Sequence, residues 1–301
     1  MTTIGFLACE TTLPGSGARR RADAFEHDLM VAALEPALAA RGLAMRVIDW
    51  EAPLEAFAGL DAVLLGTAWN YQDRAAVFVA KLEALEARGI AVHNPPGLVR
   101  WNMTKTYLRE LEEAGAATIP TLWLDEVTGE DIRAAFAQFG CEKLVVKRQV
   151  GAGAEGQVLL TADEPPGPDW RFGRPAMVQP FLPAIETQGE VSFVFVAGEF
   201  SHALTKRAAS GDYRIQSIYG GTESRHYPAE DEVEAARSVL AAIPFAAPLY
   251  ARIDMVRTED GLLLMEAELI EPYLYPEQGE RLGEHIARAL ARMTEPEGSR
   301  A

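Results

Sequence analysis

At 301 residues, 49% hydrophobic and 24% charged, the chain has room for two or three packed subdomains of ordinary soluble composition. Its net charge of -16 argues against nucleic acid or an anionic membrane as partner, because phosphate recognition on an open surface needs clustered Lys and Arg. Any phosphate must therefore be met by a few placed cations in a closed site.

Residues 1–12 lack a basic stretch ahead of their short apolar run, and Arg19, Arg20 and Arg21 come after it, opposite to a signal peptide. No apolar run approaches the length of a membrane span. Cys9 and Cys141 are far apart in apolar surroundings and read as buried free thiols, which fits a reducing cytoplasm. Residues 4–9 read as a buried strand, followed by a Gly and Pro loop and an amphipathic helix over 23–41. Strands at 45–50 and 62–66, a helix at 74–88 and a strand at 91–94 complete a β-α-β-β-α-β order. That order implies a small parallel sheet whose ligand edge lies at the strand C-termini. Glu10, Thr11, Thr67, Trp69, Asn70 and Tyr71 fall at this edge; they suit a small polar substrate, or equally a turn with satisfied side chains.

Asn94-Pro95-Pro96-Gly97 punctuates the chain. A helix is expected from Trp101 to Gly115 with Asn102 as its N-cap, then a strand at 118–124, a short helix at 129–139 and a strand at 143–148 that carries Lys147 near its end. Gly151, Gly153 and Gly156 spell a dinucleotide fingerprint, but residues 157–161 read as a strand where such a loop must open a helix. Strand, glycine loop, strand suggests instead a flap over phosphates, with Lys147 reaching them; the competing reading is a plain hairpin turn. Residues 176–182 form a strand that Pro180 ends or bulges, leaving the backbone of Gln179, Pro180, Phe181 and Leu182 free to meet a flat ligand such as adenine. Residues 190–197 and 199–207 read as a hairpin, 213–219 as a strand, 231–242 as a helix and 278–293 as a closing helix.

The most informative stretch is 251–272. Strand formers flank Thr258-Glu259-Asp260-Gly261, so it reads as a β-hairpin, and centring the turn on Asp260 sets Asp254 opposite Glu266. Alternation then sends Asp254, Glu266 and Glu268 to one side. Like charges that close need a cation among them, and hard oxygen donors without His or Cys suggest Mg²⁺ or Mn²⁺ shared with a substrate phosphate. A solvated acidic hairpin is the competing reading. Glu271 either joins the metal shell or caps the turn before Pro272. His202 is the one histidine near the proposed cations, although a structural role suits it better.

Lys105, Lys147, the glycine loop, residues 177–190 (MVQPFLPAIETQGE), residues 206–221 (KRAASGDYRIQSIYGG), Asp254 and the EAELIEP run together resemble the ATP-grasp superfamily in its glutathione synthetase-like branch. Within it the pattern is most similar to the O-ureido-serine cyclo-ligases of cycloserine formation and their relatives. The resemblance implies an α/β protein, α+β in its C-terminal part. A parallel-sheet pre-ATP-grasp substrate domain would span residues 1–112, a small subdomain with the flap 113–184, and a C-terminal subdomain with the metal site 185–301. It also implies an ATP- and Mg²⁺-dependent ligase that joins a small, amino-acid-like carboxylate to an amine through an acyl phosphate. Lys105 and Lys147 would hold the nucleotide phosphates under the flap, Gln179 to Leu182 would form the adenine hinge, and Glu190 would contact the ribose side. Asp254, Glu266 and Glu268 would bind metal, and Lys206 and Arg214 would stabilise the transferring phosphoryl group. Glu268 stands where glutathione synthetase has Asn, Ser192 where it has Arg and Gln216 where it has Asn, so a different acceptor is implied. Enzymes similar to this one are commonly homodimers. Two alternatives stay open from sequence: an ATP-grasp kinase acting on a small molecule, and a non-catalytic nucleotide-binding protein.

Overall fold

A computed structural model describes residues 1–150, 156–209 and 220–294. The first unit follows the expected order: β1 (Thr3–Ala8), α1 (Ala24–Ala39), β2 (Ala44–Asp49), β3 (Ala62–Thr67), α2 (Ala75–Glu86) and β4 (Ala91–His93). All four strands pair in parallel, in the order β2-β1-β3-β4. Ile4, Phe6 and Leu64 face α1 through Met30, Leu34 and Leu38, whereas Leu7, Val63 and Leu65 face α2 through Phe78, Leu82 and Leu85. Burial on both faces is why these strands read as unbroken apolar runs.

The helix expected over 101–115 is two helices, α3 (Pro96–Asn102) and α4 (Tyr107–Glu113). Asn102 does not cap the second. It ends the first, where its amide donates to the Ala267 carbonyl at 2.9 Å and accepts from the Leu269 N–H at 3.1 Å. Lys105 sits in the break, and its backbone N–H donates to the Gln149 carbonyl.

A second sheet is built from β5 (Leu122–Leu124), β6 (Lys143–Arg148), β7 (Val158–Thr161) and β8 (Ala176–Pro180), antiparallel in the order β5-β8-β6-β7. The intervening α5 (Gly129–Phe139) opens on a capping box between Thr128 and Asp131 and closes at Gly140, whose φ of 61° only a residue without Cβ adopts cheaply. After α6 (Ala184–Thr187) come β9 (Glu190–Val196), β10 (Glu199–Arg207), β11 (Thr222–His226), α7 (Glu230–Ala242), β12 (Tyr250–Thr258), β13 (Gly261–Glu268) and α8 (Leu282–Thr294). The third sheet is antiparallel in the order β11-β10-β9-β12-β13. β11 was not anticipated from sequence, and the strand expected at 213–219 lies outside the described residues.

Leu282, Ile286 and Leu290 of α8 fill the same core as α1, β1 and Val194, Val196 and Leu204 of the third sheet. The C-terminal helix thus roofs the N-terminal sheet. A Cβ on Gly283 would meet the Ala33 carbonyl oxygen of α1 well inside van der Waals contact. Gly283→Ala should therefore push α1 and α8 apart and cost about 1–3 kcal/mol, read as a lower urea midpoint at unchanged slope. Wild-type stability would show that the two helices do not touch there.

Candidate active site

One face of the third sheet gathers the charged residues. Alternation along the strands puts Lys206 of β10, Glu190 and Ser192 of β9, Arg252 and Asp254 of β12, and Glu266 and Glu268 of β13 on that face. The register makes Lys206 oppose Glu190, and Asp254 oppose both Ser192 and Glu266. The hairpin turn is two residues long, pairing Thr258 with Gly261. Continued without interruption, that register would set Asp254 opposite Met265. A bulge between Met255 and Asp254 shifts it by one and brings Glu266 across instead.

Asp254 is 3% exposed. Arg252 grips it through Nη2 at 2.9 Å and Nε at 3.0 Å, Lys206 Nζ lies 3.3 Å away, and Ser192 Oγ donates at 2.6 Å. Burial works to raise this carboxyl, but Arg252 and Lys206 outweigh it and hold the group well below the ordinary carboxylate range. The same reasoning applies to Lys206, which burial would deprotonate and which Asp254 and Glu190 keep charged, above its ordinary value. Arg252 also pairs with Glu268 and donates to the Tyr273 carbonyl at 3.0 Å. The Tyr275 ring lies under both cations, 5.8 Å from Lys206 Nζ and 5.6 Å from the Arg252 guanidinium carbon.

Glu266 and Glu268 differ from Asp254 in access, with side chains 35% and 33% exposed. Lys105 reaches from the α3–α4 break to pair with Glu266. Lys147, on the second sheet, is drawn into the same field. Burial and the nearby Lys105 lower its ammonium to about 8, partly offset by Glu266 and Glu190. Burial raises Glu268 to about 7 against the pull of Arg252, and raises Glu190 against that of Lys206.

The structure thus brings together Lys105, Lys147, Glu190, Lys206, Asp254, Glu266 and Glu268. It modifies one expectation about them: the cations among the three hairpin acids are the protein's own Arg252, Lys206 and Lys105, and among the described residues no three His, Cys, Asp or Glu side chains stand ready around a metal. The donor set nevertheless fits a hard cation. It is all carboxylate, and its two accessible members lie side by side on one strand, as an ion shared with phosphate oxygens requires. Arg252 was missed from sequence, although its position two residues before Asp254 on the same strand face was the signal.

Gln179 is buried with its amide donated to Thr121 Oγ1 at 2.9 Å, and Pro180 ends β8 as expected. Phe181 is buried with Lys143 Nζ 5.2 Å above its ring, and Leu182 is partly buried. Gly156 lies at the far end of the glycine loop near Arg148. Gly151, Gly153, Arg214 and Gln216 lie outside the described residues. His202 is structural: its Nε2 meets the Leu274 carbonyl at 3.0 Å, and burial lowers its imidazole to about 4. Cys141 is partly exposed rather than buried, while Cys9 is buried; both are free.

At the C-terminal edge of the parallel sheet, Thr67 is satisfied by His27 and Thr12. The segment after it packs on the loop that follows β13. Trp69 Nε1 donates to the Glu271 carbonyl at 2.9 Å and Gln72 Nε2 to Glu271 Oε1 at 3.3 Å. Arg21 stacks over Trp69 at 5.3 Å and pairs with Asp23. This edge therefore abuts the carboxylate face.

A parallel-sheet unit followed by two antiparallel sheets, the last with its cations and carboxylate hairpin on one face, is the fold of the ATP-grasp proteins. Residues 4–94 match the family described as D-cycloserine synthetase DcsG, N-terminal domain. The chain is 27% identical over 283 residues to the cycloserine biosynthesis protein DcsG of Streptomyces lavendulae, covering 85% of this chain and 90% of that one. The crystal structure of D-cycloserine synthetase DcsG superposes with a TM-score of 0.79 at 23% identity, over 97% of this chain and 100% of that chain. The ATP-grasp ligase PsnB, solved with a phosphomimetic variant of its minimal precursor, Mg and ADP, superposes with a TM-score of 0.66 at 17% identity, over 98% and 99% of the two chains. The fold is thus one that ATP-grasp ligases such as PsnB share.

Proposed function

We propose that the chain is an ATP- and Mg²⁺-dependent ligase that activates a small carboxylate as an acyl phosphate and passes the acyl group to an amine, releasing ADP and phosphate. The observation that carries this reading is the single face on which accessible Glu266 and Glu268 stand beside Lys105, Lys206 and Arg252, with Lys147 facing in from the second sheet. Phosphoryl transfer asks little covalent chemistry of a protein, only alignment and charge neutralisation. Lys105 and Lys147 would neutralise the phosphates, Lys206 and Arg214 the transferring group, and Gln179 to Leu182 would hold the adenine, with Glu190 toward the ribose. Gly151, Gly153 and Gly156 would form the cover that excludes water, so that the amine rather than water takes the acyl group. Glu266 and Glu268, backed by Asp254, would hold Mg²⁺, which supplies charge neutralisation across the phosphates when bound.

Hydroxylamine trapping tests the intermediate. An acyl phosphate gives a hydroxamate, whereas a phosphorylated alcohol gives none and would make the protein a kinase. A protein to which ATP and Mg²⁺ bind without ADP release under any amino acid or dipeptide would be a nucleotide sensor.

Lys147 adds a separate expectation. Its proton is held less tightly than in an ordinary lysine, and anionic phosphates beside it restore that affinity. ATP binding between about pH 8 and pH 10 should therefore take up a proton, seen by calorimetry in buffers of different ionisation heat. Lys147→Ala should lose both the uptake and most of the stabilisation by ATP, which is about 2.7 kcal/mol at a hundredfold excess over Kd. Equal stabilisation of mutant and wild type would remove Lys147 from the nucleotide site.

A further inference from the structure

The loop after β13 holds a strained tyrosine. Tyr275 has a φ of 49°, where a glycine sits freely and a residue with a bulky side chain is an outlier. Such a conformation lasts only where the surroundings over-determine it, and here three consecutive backbone carbonyls are claimed. That of Tyr273 accepts from Arg252 Nη1 at 3.0 Å, that of Leu274 meets His202 Nε2 at 3.0 Å, and that of Tyr275 accepts from the Gln278 and Gly279 N–H groups at 3.1 and 3.0 Å. The Tyr275 side chain is buried with α1 and α8 in the first core, its ring centroid 4.5 Å from that of Tyr273. A loop that pins its backbone so heavily, at a position where glycine would sit without strain, is keeping the ring.

What the ring meets is the pair of cations at the centre of the site, Lys206 and Arg252. Burial lifts its hydroxyl to about 12 against the pull of both, so it faces them as a neutral π system and not as a phenolate. The difference matters because the ion-pair partners of these cations are acids of their own sheet: Glu190 and Asp254 for Lys206, Asp254 and Glu268 for Arg252. A carboxylate that holds a cation also cancels it, whereas a neutral ring holds it and leaves its charge to act outward. We infer that Tyr275 is a positioning residue whose ring keeps Lys206 and Arg252 aimed at the γ-phosphoryl group of a bound nucleotide, against the pull of their own carboxylates. The inference rests on the ligase reading above, which brings ATP to this face, and adds to it a residue that acts through the two cations.

The test grades the ring face while its shape is kept. Tyr275→Phe, and phenylalanines bearing one, two and three ring fluorines in place of Tyr275, are nearly isosteric, and each fluorine withdraws negative charge from the π face. Calorimetry with Mg²⁺ gives Kd for ADP and for a non-hydrolysable ATP analogue, and the ratio of the two isolates the γ-phosphoryl group without turnover. Tyr275→Phe should keep the wild-type ratio within about twofold, and the preference for the ATP analogue should then fall with every fluorine, by about tenfold at the third, with Kd for ADP unchanged. A preference that stays flat or rises along the series, or a loss in Tyr275→Phe as large as in the fluorinated proteins, would overturn the inference, since a packing role responds to shape and not to the charge of the ring face. Failure of the ligase reading looks different: wild type would give no hydroxamate with any carboxylate, while the ratio of the two Kd values still reports on Tyr275.

Discussion

Asp254→Ala is expected to cost about 3–5 kcal/mol of folding free energy, the toll of breaking a buried ion pair from one side. The carboxylate is 3% exposed and is the shared partner of Arg252 and Lys206. Its removal leaves Lys206 with Glu190 alone and Arg252 with the more exposed Glu268. Asp254→Asn, which keeps a hydrogen-bond acceptor for Arg252 and Ser192, should lose less. The pH dependence follows from the direction of the shift. The folded carboxyl titrates below its unfolded value, so its contribution is fully present above about pH 4 and is lost as pH falls through the folded value. The gap between wild type and Asp254→Ala should therefore close in acid, and any slope between pH 5 and pH 8 comes from Glu190 and Glu268, whose carboxyls the Asp254 charge raises. Urea unfolding across that range measures it, and a gap under about 1 kcal/mol would mean that the cations are solvated rather than paired.

The second large effect is on turnover. Glu268→Ala should lower ADP formation at least about a hundredfold, because it removes an oxygen from the accessible carboxylate pair proposed to bind Mg²⁺. Glu268→Asn keeps an oxygen and should retain part of the activity at a raised Mg²⁺ requirement. Glu266→Gln should resemble the alanine variant, since it also strips Lys105 of its partner. ADP formation titrated with Mg²⁺ separates the three, and equal activity in all of them would leave the hairpin acids as a solvated patch without a metal role.

The parallel unit was legible in the chain because its strands are buried on both faces and its helices follow their period. The hairpin acids were legible by alternation, and their pairing came out as expected for a reason the sequence conceals. A turn centred on Asp260 and a two-residue turn followed by a bulge at Met265 give the same partner for Asp254. What could not be read is long-range polar stitching. Asn94 donates to the Tyr250 and Leu269 carbonyls and accepts from the Leu249 N–H, and Asn102 takes the Leu269 N–H and the Ala267 carbonyl. Nothing local to an asparagine reveals carbonyls more than 150 residues away, so Asn102 resembled a helix cap. Arg252 was hidden differently, because clustered carboxylates are met equally well by a bound cation or by an arginine of the same strand, and only the folded sheet shows its guanidinium on Asp254 and Glu268.

The seating of α8 against α1 bears on how the protein is made. The residues that complete the first core, Leu282, Ile286 and Leu290, are synthesised roughly two hundred residues after the first sheet. Until then Ile4, Phe6, Leu34 and Leu38 have one side open. At roughly 5–20 residues per second that interval lasts on the order of ten to forty seconds, long enough for a nascent chain to need shielding by a chaperone. Of the three sheets, the first to be synthesised is thus covered only after the strands of the other two exist.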